Sequence, residues 1–494
     1  MQQDRNNKGQ GSVTIYMTLM LAVLLSLFLA LVESARERAV ELVAACGVDL
    51  AVYSVFAEYS RDLLEEYDLL FVDTSYMTED TSGKALEAHL EKYIEENLST
   101  GKQNAGRDLT GTFLEEARIV KRSYATDEGG EVFFNQAVAF MKEKYGVSYL
   151  EKLQKELQTA GENDLFEKDV DSPREANEAK LQEAAREGVE TGETDKDGNP
   201  IRKEAEFENP ADGVNAGRSA GPLSLVTGEK GVSDRAVKRE SLLSVRGVGK
   251  SGDGMQGRTS QSIGKLWFEL YVKEHCGCYT SPKDEGVLTY QQEYVIGGKD
   301  NDRDNLSAVV KRLLALREAA NVAYLFSDAA KVSEAEALAL SIATAAGVPV
   351  ITELLKISLL FAWAFAESVW DVKCLLAGRK VALIKTAADW HYSLEGMLSY
   401  ASDQPESETH TAGEDLTALS EGKLGYEDYL FLFMSLESKD TLCSRMMDIA
   451  EMDVRSKGDY GFCLDDCVDH ILVEASVGSK RGSSAFVRRE FSYR

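Results

Sequence analysis

The stretch "KGQGSVTIYMTLMLAVLLSLFLALVESARERAVELV", residues 8–43, decides how the rest of the chain is read. A short basic lead gives way to 21 residues, Ser12 to Val32, without a single charge. About 20 residues at ~1.5 Å each match a hydrocarbon core of ~30 Å, so the run is long enough to span a membrane. A secretory signal has a shorter apolar core, about 7–15 residues, and ends at a small-residue cleavage site. Here strong helix formers, "LVESARERAVELV", follow without a proline, so the segment reads as a retained anchor and not a discarded leader. Arg5 and Lys8 precede the span and Arg36 and Arg38 follow it. Glu33, Glu37 and Glu41 crowd the far side, which favours a cytoplasmic N-terminus and an extracytoplasmic body.

Beyond the span, Val40, Val43, Ala44, Val48, Ala51, Val55, Tyr59 and Leu63 recur at steps of three and four. They predict one apolar helix stripe, with charges on the other faces. Helix-compatible sequence runs from about residue 13 to 66, roughly 80 Å if unbroken, with Gly47 as the weak point. Such a stripe packs either on the protein's own body or against partner helices.

The expected organisation is a cytoplasmic tail over 1–11, a transmembrane helix over 12–32, and a helical stalk with the first part of the body over 33–157. Residues 158–262 hold four of the seven prolines, many glycines and only Phe166 and Phe207 as aromatics. That composition predicts a mobile acidic, Gly-rich insertion. Residues 263–494 then form a helical α+β domain. Within it, "ITELLKISLLFAWAFAESVWDVKCLLAG" is interrupted by Glu353, Lys356 and Glu367 and reads as a buried core helix. The tail "HILVEASVGSKRGSSAFVRREFSYR" alternates on both sides of a Gly/Ser turn, as a β-hairpin does. The fold class expected is α+β, mostly helical.

The net charge of −28, without a compensating basic stripe, argues against nucleic-acid binding. Of the seven cysteines, Cys276/Cys278 and Cys463/Cys467 are the close pairs, flanked by His275 and His470. Without paired CxxC knuckles the set points to buried thiols or one disulfide ahead of zinc, and no cofactor is expected. Three motif look-alikes fail on context. "SVRGVGKSGDG" has Ser244 where a phosphate-binding loop needs its first glycine, and "GRSAG" at 217–221 lies in the insertion. "DNDRDNL" spaces Asp300, Asp302 and Asp304 like a calcium loop but has Asn305 and Lys311 where Gly and Glu belong. The five histidines form no convincing catalytic set, and the expectation is a protein that is not an enzyme.

The N-terminal segment 11–73 resembles the TadE/TadG-like proteins of Tad (Flp) pilus assembly, in particular their Gram-positive branch. So do "EYVIGGKDNDRDNLSAVVKRLLALREAANVAYLFSD" (293–328), "AWAFAESVWDVKCLLAGRKVALIKT" (362–386) and "LGYEDYLFLFMSLESKDTLCSRMMDIAEMDVR" (424–455). The resemblance implies a single-pass, pilin-like membrane protein with an extracytoplasmic body, acting beside other membrane proteins of a pilus or secretion apparatus. It implies prepilin-type processing between Gly11 and Ser12. Prepilins of that kind carry Glu five residues after the cleaved glycine; here that residue is Tyr16, and no acid occurs before Glu33.

Overall fold

The computed structural model describes residues 4–78, 82–99, 110–146, 168–194, 200–227, 231–252, 261–405 and 423–493, with side chains described except at 4–12, 189–194, 200–203 and 261–262. It is mostly helical with a few strands, consistent with the α+β class. The chain divides into two units. The first comprises 1–136, 248–257 and 457–494, and the second 137–247 and 258–456.

The first unit is built on helix α1, Asp4–Phe56. Helix α2 (Arg61–Tyr67), strand β1 (Val72–Asp73) and helix α3 (Lys84–Leu98) follow, then strand β2 (Thr112–Tyr124). The last 38 residues of the chain return to supply β7 (Cys467–Ser479) and β8 (Ser484–Ser492). Strand β7 is the hub of an antiparallel sheet. β2 covers one of its edges from Ser479 back to Val468, with three register irregularities. β8 pairs along the other edge from His470 to Gly478, and β1 joins at Cys467 and Val468. The inward set of β7, Ile471, Val473, Ala475 and Val477, shares one core with Val40, Ala44, Val48, Ala51 and Val55 of α1 and Leu86, Leu90 and Ile94 of α3. Period 2 on the strand and steps of three and four on the helices bring these residues to one layer.

Three expectations are corrected here. The helix ends at Phe56 instead of near 66, because Ser60 caps a new helix: its Oγ accepts from Leu63 N at 3.4 Å. Tyr59 therefore lies off α1 and Leu63 belongs to α2. Gly47 is not a kink; α1 runs through it, and a Cβ there would meet Leu98 Cδ2 at 3.0 Å. The glycine is where α3 approaches closely. Finally, the expected 263–494 domain is split, since residues 457–494 find their strand partners in the N-terminal third.

In the second unit α4 (Asp127–Tyr145), which begins in the first, leads in; the sequence reads as helix from about Glu131 to Leu157, and residues 147–157 of that stretch lie outside the described ones. The centre is α13 (Thr352–Leu376), whose residues from Leu359 to Ala366 are all buried. It packs against α11 (Asp302–Ser327), α12 (Ala329–Ala345), α5 (Asp171–Glu187), α6 (Pro210–Arg218) and α7 (Pro222–Val226). A two-stranded ribbon, β3 (Val189–Thr194) with β4 (Pro200–Lys203), follows α5. Helix α8 (Leu243–Arg246), α9 (Gln261–His275), α10 (Gln291–Gly297), the short pair β5 (Val381–Ala382) and β6 (Lys423–Leu424), α14 (Tyr426–Leu436) and α15 (Lys439–Ser456) complete it.

The reading of 158–262 as a mobile insertion is corrected for the helices over 171–187 and 210–218, which are fastened to the helical core. Asn177 Nδ2 donates to Leu354 O at 2.9 Å, Asn209 Nδ2 to Ser358 Oγ at 3.2 Å, and Arg218 Nη1 to Glu318 Oε2 at 3.0 Å. Composition underestimates this segment because polar side chains, together with a few apolar ones such as Leu181, Val214 and Val226, fix it to an existing apolar surface. It does not have to build a core of its own.

Candidate functional site

Helix α1 changes surface partway along. Every side chain from Val13 to Val32 is exposed, whereas Val40, Ala44, Val48, Ala51 and Val55 are buried and Val43 is partly so. Within the exposed run, Thr18 Oγ1 bonds back to Ile15 O at 2.9 Å and Ser26 Oγ to Val23 O at 2.8 Å, so neither hydroxyl adds an unsatisfied donor. The stripe singled out from sequence is thus taken up by the unit's own sheet and α3. Beyond the apolar run, α1 turns outward the charged Glu33, Glu37, Arg38 and Glu41 and, among larger apolar side chains and thiols, Leu42, Cys46, Leu50 and Tyr53. Gly11 and Ser12 lie in the helical backbone of α1, and their side chains are outside the described residues.

Just past the end of α1, Glu58 collects three partners that local sequence does not reveal. Its Oε2 accepts from Tyr76 Oη at 2.6 Å, its Oε1 from Tyr93 Oη at 2.5 Å, and His89 Nδ1 stands 3.0 Å from Oε2. Burial pushes this carboxyl up, but the bonds from Tyr76, Tyr93 and His89 outweigh it and hold Glu58 below its ordinary range. Tyr76 and Met77 both have left-handed backbones, φ 49° and 61°, and the Tyr76–Glu58 bond helps hold that strain.

The second unit carries a buried ionic network on facing helices. Arg317 and Asn321 of α11 meet Glu367 and Asp371 of α13, each pair one turn apart. Asp371 Oδ2 accepts from Arg317 Nε at 3.0 Å and Asn321 Nδ2 at 3.0 Å, while its Oδ1 lies 2.6 Å from Lys385 Nζ. Lys385 also pairs with Glu367, whose two oxygens accept from the backbone of His391 and Tyr392, both at 2.9 Å. Arg317 further donates to Leu383 O and Tyr429 Oη. Two acids balance two bases, and the strand-like segment after α13 is tied down by them. Nearby, Lys331 Nζ sits 4.5 Å and 4.9 Å from the ring centroids of Trp363 and Trp390.

Glu293 on α10 is fully buried; its Oε1 accepts from Tyr279 N at 2.8 Å and Tyr426 Oη at 2.7 Å, and its Oε2 has no hydrogen-bond partner. Burial raises its carboxyl to about 7. Since the folded value lies above the unfolded one, its contribution to stability is complete below about pH 4.5 and is lost as pH rises through 7. Chemical denaturation at pH 5 and pH 8 should find the second unit weaker at pH 8. Glu293→Gln should remove roughly 3 kcal/mol of that difference; an unchanged slope in the variant would exclude Glu293 as its source.

The motif look-alikes serve packing. Gly249 N donates to Asp465 Oδ2 at 2.9 Å, Lys250 pairs with Asp466, and Gly252 N donates to Asp127 Oδ1 at 2.6 Å. The GKS segment therefore straps acids within the first unit. In "GRSAG", Ser219 caps the C-terminus of α6 and Gly221 begins α7, so no strand-to-helix elbow forms. A Cβ on Gly217 would overlap Tyr400 Oη at 1.7 Å, which accounts for that glycine. Asp302 is buried and accepts from Ser233 Oγ, Thr289 N and Tyr290 N, and Asn301, not an acid, caps α11. Cys276 and Cys278 belong to the second unit and Cys463 and Cys467 to the first, so the two close pairs do not share a unit. Burial raises the Cys276 thiol to about 12. Among the described residues no group of three His, Cys, Asp or Glu is placed to hold a metal ion. An open groove of about 460 Å³ in the second unit is lined by Lys168, Asp169, Val170, Val322, Phe326 and Phe361 among others.

Residues 201–479, more than half of the chain, match the model of a family of unknown function, DUF5702, and the chain belongs to that family. No curated protein and no solved structure matches it.

Proposed function

We propose that this is a single-pass, membrane-anchored, non-catalytic component or assembly factor of a Tad/Flp-type pilus or secretion apparatus. The anchor is residues 12–32, the N-terminus is cytoplasmic and the body extracytoplasmic. The observation that carries the anchor is the change of surface along α1: twenty consecutive exposed residues, nearly all apolar, then a charged stretch over 33–39, and from Val40 on the same helix a face buried in the first unit. An isolated apolar helix of that length is costly in water and suited to hydrocarbon. It is also long and apolar enough to cross a membrane, with a mean hydropathy of 2.6 and none of it buried. The resemblance of segments 11–73, 293–328, 362–386 and 424–455 supports the apparatus. The membrane-side neighbours would meet the exposed run and the outward Leu42, Leu50 and Tyr53.

A second reading, an anchored binding module, is favoured by the groove beside Phe326 and Phe361. Removing residues 12–32 separates the two. The full chain should stay in the membrane pellet through alkaline carbonate and co-purify with other membrane proteins in detergent. The deletion variant should be lost from the pellet and from the complex. Release of the full chain by carbonate would sink the anchor, and a soluble variant that keeps a specific ligand would favour the binding module.

A further inference from the structure

We propose that the turn joining β7 and β8 is a second membrane contact, a basic foot that rests on the anionic headgroup layer beside the α1 span. This rests on the anchor reading above. The turn's height relative to the span is fixed by hydrogen bonds. Arg36 lies four residues past Val32, roughly 6 Å along the helix axis, and its Nη2 donates to Ser479 Oγ at 3.3 Å. Ser479 in turn donates through Oγ to Thr110 O at 2.7 Å and through N to Ser483 O at 2.8 Å. Gly482 N closes the turn on Ser479 O at 2.8 Å, and Lys480 N is held by Gly111 O at 3.0 Å. Headgroups add roughly 5–8 Å on each side of the hydrocarbon, so the turn is pinned at their level.

What the turn presents suits that layer. Lys480 and Arg481 are exposed and form no ion pair among the described residues. Of the acids at the same level, Glu33 pairs with Arg36, Glu41 with Arg38, and Glu115 accepts from Ser476 Oγ, while Glu37 and Glu116 are exposed. On the outer face of the sheet next to the turn stand two exposed aromatics, Phe486 at 67% and Phe113 at 46%, the latter lying over Gly478. Basic residues attract anionic lipid, and aromatic rings favour the interface. On a chain of net charge −28, this pair of bases decides which part of the first unit approaches an anionic surface.

The test uses the full chain in nanodiscs of phosphatidylcholine alone or with about one-third phosphatidylglycerol, a level that gives a strongly negative surface. Amide hydrogen exchange is followed over residues 479–486. Exchange there should be slowed about fivefold or more in the anionic discs. The difference should vanish at high salt and in the Lys480→Glu/Arg481→Glu variant, with the exchange of Ile471–Ala475 unchanged as the control for folding. Equal exchange in both lipids, with the chain in the discs, overturns the foot and leaves the anchor standing. A chain that does not enter either disc overturns the anchor and the foot together. A lipid effect that survives both charge reversals also overturns the basic foot.

Discussion

Asp371→Ala should destabilise the second unit by about 3–5 kcal/mol, the range expected when one partner of a buried ionic cluster is removed. Asp371 is 2% exposed and serves Arg317, Asn321 and Lys385 together. Its loss leaves a fully buried guanidinium and a buried ammonium facing Glu367 alone. The damage is the stranded charge and not the missing attraction. For that reason Arg317→Met combined with Asp371→Leu should cost less than the single change. Thermal unfolding of the full chain in detergent should show the transition of the second unit falling by roughly 10 °C for Asp371→Ala. A loss under about 1 kcal/mol, the scale of a surface pair, would sink this account of the network.

Val48→Asp should be still more damaging, at about 4–5 kcal/mol or more, because a carboxylate with no cation beside it enters an apolar core. Val48 is wholly buried between α1's neighbours on the sheet and α3. With total stabilities of about 5–15 kcal/mol, the first unit should open, and limited proteolysis should cut at β7 and α3. Leu50→Asp, two residues on and 56% exposed, should stay within about 0.5 kcal/mol. The contrast tests where the stripe belongs. If it met a partner helix and not its own body, Val48→Asp would leave the melting of the first unit unchanged and abolish only co-purification.

Much of this architecture is written locally. The uncharged run from Ser12 to Val32, the stripe from Val40 to Val55, and the alternation on each side of the Gly/Ser turn near the C-terminus need only periodicity to be read. The buried character of the helix over 352–376 follows from Glu353, Lys356 and Glu367 interrupting its apolar run. The network itself was legible only in part. Glu367 and Asp371, like Arg317 and Asn321, stand one helical turn apart, a spacing that places each pair on one face but does not say that the faces meet. Nothing near Glu58 points to Tyr76, His89 and Tyr93, which lie 18 to 35 residues away. The polar segment over 158–262 misled for a related reason: composition measures whether a segment can fold alone, and this one is held by surfaces made elsewhere.

The sequence by itself determined an apolar helix of membrane-spanning length and the amphipathic helix that continues it, because both depend on interactions within a few residues. Only the tertiary structure decided what that helix packs against and where the chain divides. Strand β7 draws hydrogen-bond partners from β2, with Val468 opposite Tyr124 and Ser479 opposite Thr112, 344 and 367 residues apart. Backbone donors and acceptors on a strand accept any properly placed edge, so pairing at that distance leaves no local mark. The same holds for Ser479, whose hydroxyl sets the turn beside Arg36 across 443 positions of sequence.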